Sequence, residues 1–269
     1  MEYKAKLPSR NSNVSHATPI KEFSTLVFGV AALLLLVYWL LGFLVDYTVD
    51  HISDEHAAEI YHSLNNVASE QIPADTAASP RLQTLLDQLV AHSDIPYRIQ
   101  LSVADAEQMN AVAFPTGHIV VFQELLDGLS TENGIAFVLA HEIAHFKNRD
   151  HLRSMGRSVL LMTASMLLGF SDNDVMQMLS PITNFSIAQY SQQRESSADA
   201  TALILLNQHY GHIGGATEFF DLLQEKDNEL SFAFSHYFAS HPQIQQRIEQ
   251  LQHLGDSMGF EIKPTITKN

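Results

Sequence analysis

The amino-acid sequence predicts an α+β domain, mainly helical with a small sheet, preceded by one N-terminal apolar helix. Three observations carry this expectation. Residues 23–45, FSTLVFGVAALLLLVYWLLGFLV, contain no charge. A run of alternating residues and a glycine-containing hairpin signal lie between residues 97 and 122, and downstream the apolar residues recur with helical spacing.

Residues 1–22 are polar and include Pro8, Asn11, Ser12, Asn13 and Pro19, so they read as a disordered cytoplasmic tail. As a helix the 23–45 run rises about 34 Å, enough to cross a hydrocarbon layer of about 30 Å, and predicts a transmembrane helix. Lys4, Lys6, Arg10 and Lys21 precede it, whereas Asp46, Asp50, Asp54, Glu55 and Glu59 follow. The positive-inside bias therefore puts the N-terminus in the cytoplasm. The expected location is the cell inner (plasma) membrane, single-pass, with the C-terminal domain extracytoplasmic (periplasmic). The run is longer than the core of a cleaved signal peptide, and no small-residue cleavage site follows it closely.

Residues 46–78 read as an acidic juxtamembrane helix and a linker, QIPADTAASP. His51, His56 and His62 on that helix have no supporting carboxylate pattern and read as a solvated face. The globular domain is expected over 79–255, with a C-terminal tail at 256–269. It opens with a helix through RLQTLLDQLVAHS and a strand at YRIQLSV. NAVAF, PTG and HIVVF then form a strand, a turn holding Gly117, and a strand. The apolar run 158–171 spans about 21 Å as a helix, too short for a full crossing, and reads as a core helix or a membrane-dipping segment.

Composition narrows the chemistry. The sequence has no cysteine, so a metal would have to be held by His, Asp or Glu. Thirty acidic residues against fifteen basic ones give a net charge of −15, which argues against a polyanion-binding surface and against nucleic acid as a partner.

The sharpest motif is HEIAHFKNRDH, residues 141–151. His141 and His145 stand at i and i+4, on one face of a helix and able to share one cation; Glu142, about 100° round, can sit beside the metal as a base without binding it. Ser130 and Thr131 offer an N-cap, and Ile135, Val138, Leu139, Ile143 and Ala144 supply the helix's apolar positions. Catalytic zinc takes three protein ligands and leaves one position for water. Two residues compete to be the third. His151 would complete HExxHxxNxxH, but HLRSMGRSVLLM continues in helical rhythm, and a helix unbroken at Asn148 carries His151 away from the ligand face. Glu195, in RESSAD, stands at i to Asp199 at i+4, so one carboxylate can bind metal while Asp199 accepts the ring N–H of a ligand histidine. Ser196, Ser197, Ala198 and Ala200 are small enough to let that helix approach closely.

HEIAHFKNRD and RESSAD, in this order, resemble the two motifs of the HtpX-type membrane-bound zinc metallopeptidases, relatives of the CAAX prenyl proteases, over residues 80–252. The resemblance implies a zincin-like metallopeptidase domain with one Zn2+ per chain, bound by His141, His145 and Glu195, and Glu142 as general base. It also implies that MNAVAF, with Asn110, Ala111, Val112 and Ala113, is a strand bordering the cleft to which an extended substrate adds. SHPQIQQRI resembles an element whose histidine, here His241, lies near the metal as an oxyanion donor or resting-state cap; Arg247 is a weaker candidate there. Polypeptide substrates, misfolded or unassembled, and a lipid bilayer are the implied partners. The sequence departs from the family in lacking a clear pair of membrane helices between the two motifs. The alternative reading is a membrane-tethered zinc-binding chaperone or scaffold module with little proteolytic activity.

Overall fold

A computed structural model describes residues 19–68, 76–105, 109–167, 192–226 and 244–268. The protein divides into two compact units, one ending at Leu44 and one beginning at Val45.

The first helix, α1 (Pro19–His51), has 33 residues, about 50 Å at the usual helical rise. It runs on past the apolar stretch to His51, because nothing between Phe43 and His51 breaks a helix. Phe28, Leu35 and Trp39 on it are exposed, an arrangement that suits a non-aqueous surrounding. Among the described residues it is the one helix long and apolar enough to cross a membrane. Residues 158–167 of the second apolar run lie in α6, described below, and 168–171 lie outside the described residues.

In the second unit α2 (Asp54–Ala68) is more than a polar spacer. Ala57 and Tyr61 are buried in the core, and the Tyr61 ring meets Phe146 edge-on at 5.8 Å and lies 5.0 Å from Tyr97. His51, His56 and His62 are on the exposed side. Helix α3 (Pro80–Ala91) starts where the chemistry of its first residues says it should: Ser79 Oγ accepts from the Leu82 N–H at 3.3 Å, with proline at the first helical position.

Four strands, β1 (Thr76–Ala77), β2 (Gln100–Ala104), β3 (Ala111–Phe114) and β4 (His118–Phe122), form a sheet of order β1-β2-β4-β3. β4 runs parallel to β2 and antiparallel to β3. The turn between β3 and β4 uses Gly117 at φ 74°, a conformation that favours glycine. β3 is thus an edge strand.

The remaining helices are α4 (Gln123–Gly128), α5 (Glu132–Lys147), α6 (Asp150–Leu167), α7 (Gln192–Tyr210), α8 (Glu218–Lys226) and α9 (Ile244–Met258). Every residue of α5 from Asn133 to Phe146 is buried, so it is the central helix of the domain. It touches β3, α3, α6 and α8, and α7 is its main partner. Ala136, Ala140 and Ala144 repeat every four residues along α5, while Ala198 and Ala202 do so on α7, all fully buried. Side chains this small bring two backbones close, which is what a site shared by both helices requires.

The start of α5 is held from three directions. Thr131 Oγ1 accepts from the Gly134 N–H at 3.0 Å as the N-cap. The Glu218 carboxylate accepts from the Ser130 N–H at 2.5 Å and the Thr131 N–H at 3.1 Å, and from the Thr131 hydroxyl. The C-terminal segment is laid across the same place: Ile266 C=O accepts from the Glu132 N–H at 2.9 Å, and the Ile266 N–H donates to Asn133 Oδ1 at 2.8 Å. Gly215 lets the backbone pass beneath, with φ 91° and an added Cβ only 2.6 Å from the Cβ of Asn133. Gly215→Ala should therefore lower unfolding free energy by about 2 kcal/mol in urea denaturation, from combined backbone strain and overlap; a change below about 0.5 kcal/mol would mean that this crossing can relax.

Candidate metal centre

Helix α5 presents His141 and His145 one turn apart, and α7 brings Glu195 to them. The two Nε2 atoms lie 3.1 Å apart. Glu195 approaches His141 Nε2 at 3.5 Å through Oε2 and His145 Nε2 at 3.6 Å through Oε1. All three residues are buried, and they form the one group of potential metal ligands of three or more among the described residues.

These distances suit a small tetrahedral cation. Zinc binds imidazole nitrogen and carboxylate oxygen at about 2.0–2.2 Å, so two ligand atoms at the tetrahedral angle stand roughly 3.3–3.5 Å apart. The formal charges fit as well. Glu142, Glu195, Asp199 and Asp150 are buried carboxylates and Arg247 is the buried guanidinium among them, so the site is acidic enough to attract a divalent ion.

Each imidazole is oriented from behind. His141 Nδ1 donates to Asp199 Oδ1 at 2.9 Å, and His145 Nδ1 donates to Asp150 Oδ2 at 2.9 Å, since an ionised carboxylate can only accept. Both Nε2 atoms are thereby committed to face the shared centre. Asp199 is gripped in turn by Arg247, Nε to Oδ2 at 2.7 Å and Nη2 to Oδ1 at 2.7 Å, and the same guanidinium reaches Glu195 Oε2 at 3.0 Å. It lies 4.9 Å from the centre of the Phe220 ring. Burial works against the charged form of Asp199, but Arg247 and His141 outweigh it and hold the carboxyl below its usual range. Burial likewise pushes His141 down, while hydrogen bonding and charge from Asp199 and Glu195 outweigh it and raise the imidazolium to about 9.

His151 stands apart from this group, but not for the reason the sequence suggested. The expected unbroken helix breaks: α5 ends at Lys147, Asn148 is its C-cap, and Arg149 turns the backbone at φ 55° before α6 starts at Asp150. His151 is buried against Phe146, ring centres 4.8 Å apart, with its ring centre 6.4 Å from that of His145. Burial first, then the charge of His145, lowers it to about 3, so it is a neutral ring at physiological pH. Asp150 is the residue that sequence reasoning missed. Its signal was the break itself, which moves a carboxylate from the outside of a continuous helix to the back of His145.

The rest of the expected site distributes as follows. The Glu142 carboxylate accepts from the Ala113 N–H through Oε2 at 3.0 Å, tying it to β3. Asn110 precedes β3, and its C=O accepts from the Phe122 N–H at 3.0 Å. Backbone polar groups alternate in direction along an antiparallel strand, so Val112 turns to β4 while Ala111 and Ala113 turn to the open edge, on the side of Glu142. A small cavity of about 10 Å³ beside His141 and Glu142 is walled by Val138, Phe219 and Phe220. Arg247 is anchored to the two acidic side chains on α7. His241 lies outside the described residues.

Comparison with known proteins finds relatives over most of the domain. The sequence pattern of Peptidase family M48 matches residues 76–255. The protein is 29% identical over 178 residues to a protease HtpX homolog of Salinibacter ruber, covering 60% of its own length and 62% of that relative. It is 26% identical over 223 residues to a protease HtpX homolog of Acidiphilium cryptum, covering 68% and 76%. With the mitochondrial metalloendopeptidase OMA1 of Schizosaccharomyces pombe it shares 23% over 192 residues, 70% and 56% of the two sequences. It thus spans between just over half and about three quarters of the length of these relatives.

Loading the metal-free protein should displace the His141 proton. Titration calorimetry with zinc in buffers of different ionisation enthalpy should show about one proton released per ion at pH 7. Affinity should rise up to tenfold per pH unit and level off near the His141 value of about 9. Release near zero at pH 7 would mean that His141 is already neutral.

Proposed function

The protein belongs to peptidase family M48, of the HtpX type, and we propose that it is a membrane-anchored zinc endopeptidase in which His141, His145 and Glu195 hold the metal and Glu142 is the general base. The observation that carries the reading is the convergence of the two Nε2 atoms, 3.1 Å apart, on the Glu195 carboxylate, whose Oε2 and Oε1 lie 3.5 and 3.6 Å from them.

When bound, zinc supplies a Lewis acid that polarises the scissile carbonyl and acidifies the attacking water. Glu142 accepts the proton of that water and passes it to the leaving amine. Its bond from Ala113 fixes the carboxylate beside the ligand histidines, so β3 positions the base. The outward N–H and C=O of Ala111 and the C=O of Ala113 offer an extended polypeptide an edge to pair with, which carries the scissile bond past Glu142. Asn110 and Val112 stay engaged with β4 and hold the strand in place. The family resemblance gives His241 the role of donor to the developing oxyanion. Asp199 keeps His141 oriented.

Substrates recognised through backbone pairing must be extended at the point of cleavage. Misfolded or unassembled proteins at the inner membrane meet that requirement, which supports a role in protein quality control. The charge step across residues 23–45 supports an extracytoplasmic domain.

Comparison of variants tests the assignment. Glu142→Gln should retain one zinc per molecule and lose cleavage of an unfolded protein by about 10²–10⁴-fold, the usual worth of a general base. Glu195→Ala should lose both metal and cleavage, and His151→Ala should keep both. Normal cleavage by Glu142→Gln, or a full complement of zinc in Glu195→Ala, would overturn the roles proposed here.

A further inference from the structure

Behind His145, on the side away from Glu142, the domain carries a row of ion pairs that the peptidase mechanism does not use. Arg149 comes from the turn before α6, Arg153 and Arg157 from α6 and Arg194 from the start of α7, and Asp46, Asp50 and Asp54 from the end of α1 and the start of α2. They line a cavity of about 750 Å³ whose wall includes Asp150 and excludes Glu142.

Two of these residues connect to the metal centre. Arg194 Nε lies 3.4 Å from Asp150 Oδ1, while Asp150 Oδ2 accepts from His145 Nδ1 at 2.9 Å. The other end of the same guanidinium, Nη2, donates to Asp46 Oδ1 at 3.4 Å. Asp46 is itself fixed by Arg157, Nη2 to Oδ2 at 2.6 Å, and its backbone carbonyl accepts from Arg153 Nη1 at 3.2 Å. Asp150 is 2% exposed, and Arg194 stands beside it as a countercharge. A guanidinium tethered at both ends has one position, and it sets where the Asp150 carboxylate stands.

We propose that Arg194 and Asp46 are positioning residues for the metal centre: Asp46 anchors Arg194, Arg194 locates Asp150, and Asp150 aims His145. This rests on the reading of His145 as a zinc ligand. It makes the last turns of α1 part of the apparatus that keeps the site in ligand geometry. The placement also explains why Arg149 adopts a left-handed turn. Its guanidinium donates to the Val49 C=O at 2.9 Å, to the Ile52 C=O and to Asp54 at 2.6 Å, capping the end of α1 at the point where Asp150 must be presented.

The test is zinc affinity of the full-length protein in detergent by chelator competition, with the d–d absorption of the cobalt-substituted protein as a report on ligand geometry. Asp46→Asn and Arg194→Gln should each raise the zinc dissociation constant by about tenfold, the lower end of what loss of an outer-shell partner costs, and shift the cobalt band. Arg194→Lys should recover most of the affinity. Glu55→Gln, which removes one exposed acidic charge at the start of α2 outside this row, should stay within about twofold of wild type, which separates positioning from a general loss of negative charge on this face. His145→Ala and Asp150→Asn are run alongside. If both lose zinc while Asp46→Asn and Arg194→Gln bind within about twofold of wild type with an unchanged cobalt spectrum, the positioning role is overturned and the ligand assignment stands. If His145→Ala keeps full affinity, the ligand assignment fails and the positioning role with it.

Discussion

Two imidazole nitrogens held 3.1 Å apart inside a fully buried helix are the constraint around which this domain is organised. Polar rings in such a place are unfavourable unless each nitrogen has a partner. The fold answers by placing a carboxylate behind each ring, Asp199 for His141 and Asp150 for His145, and Glu195 in front of both. Each carboxylate then needs a countercharge, which Arg247 supplies on the α7 side and Arg194 on the α6 side. The protein's overall acidity is therefore compatible with an interior where positive groups are placed one by one.

The scaffolding follows from that demand. Alanines on α5 and α7 bring the two helices close enough for Glu195 to reach histidines on its neighbour. Glu218, Gly215 and the C-terminal segment fix the N-terminus of α5, and the Asn148–Arg149 turn fixes its end. The edge strand β3 is tied to the same helix through Ala113 and Glu142. Two ligands and the base thus share one rigid helix, to which the third ligand's helix and the strand are fastened, which is how the site can hold its geometry.

Much of this was legible in the sequence because it is local or periodic. The i, i+4 spacing of His141 and His145, the cap at Thr131, the Ser79–Pro80 helix start and the glycine turn of the β3–β4 hairpin are all decided within a few residues. Glu195 and Asp199 were legible for the same reason, being one helical turn apart. The break after α5 was not. Arginine at φ 55° is an uncommon choice, and what supports it is a set of acceptors about a hundred residues earlier, at Val49, Ile52 and Asp54. No short-range pattern encodes that pairing, so the helical rhythm of the following residues suggested continuity, and Asp150 was overlooked. The contribution of Tyr61 to the core, and of residues beyond Met258 to the start of α5, were hidden in the same way, since each depends on a partner distant in sequence.

The claim that matters most is the identity of the three ligands, two imidazoles and one carboxylate. X-ray absorption at the zinc edge of the loaded protein reads this directly. The expected spectrum has two histidine nitrogens and one or two carboxylate or water oxygens around the zinc, all near 2.0–2.2 Å, with multiple scattering from two imidazole rings. A spectrum requiring three imidazoles would transfer the third position from Glu195 to another histidine and contradict the account at its centre.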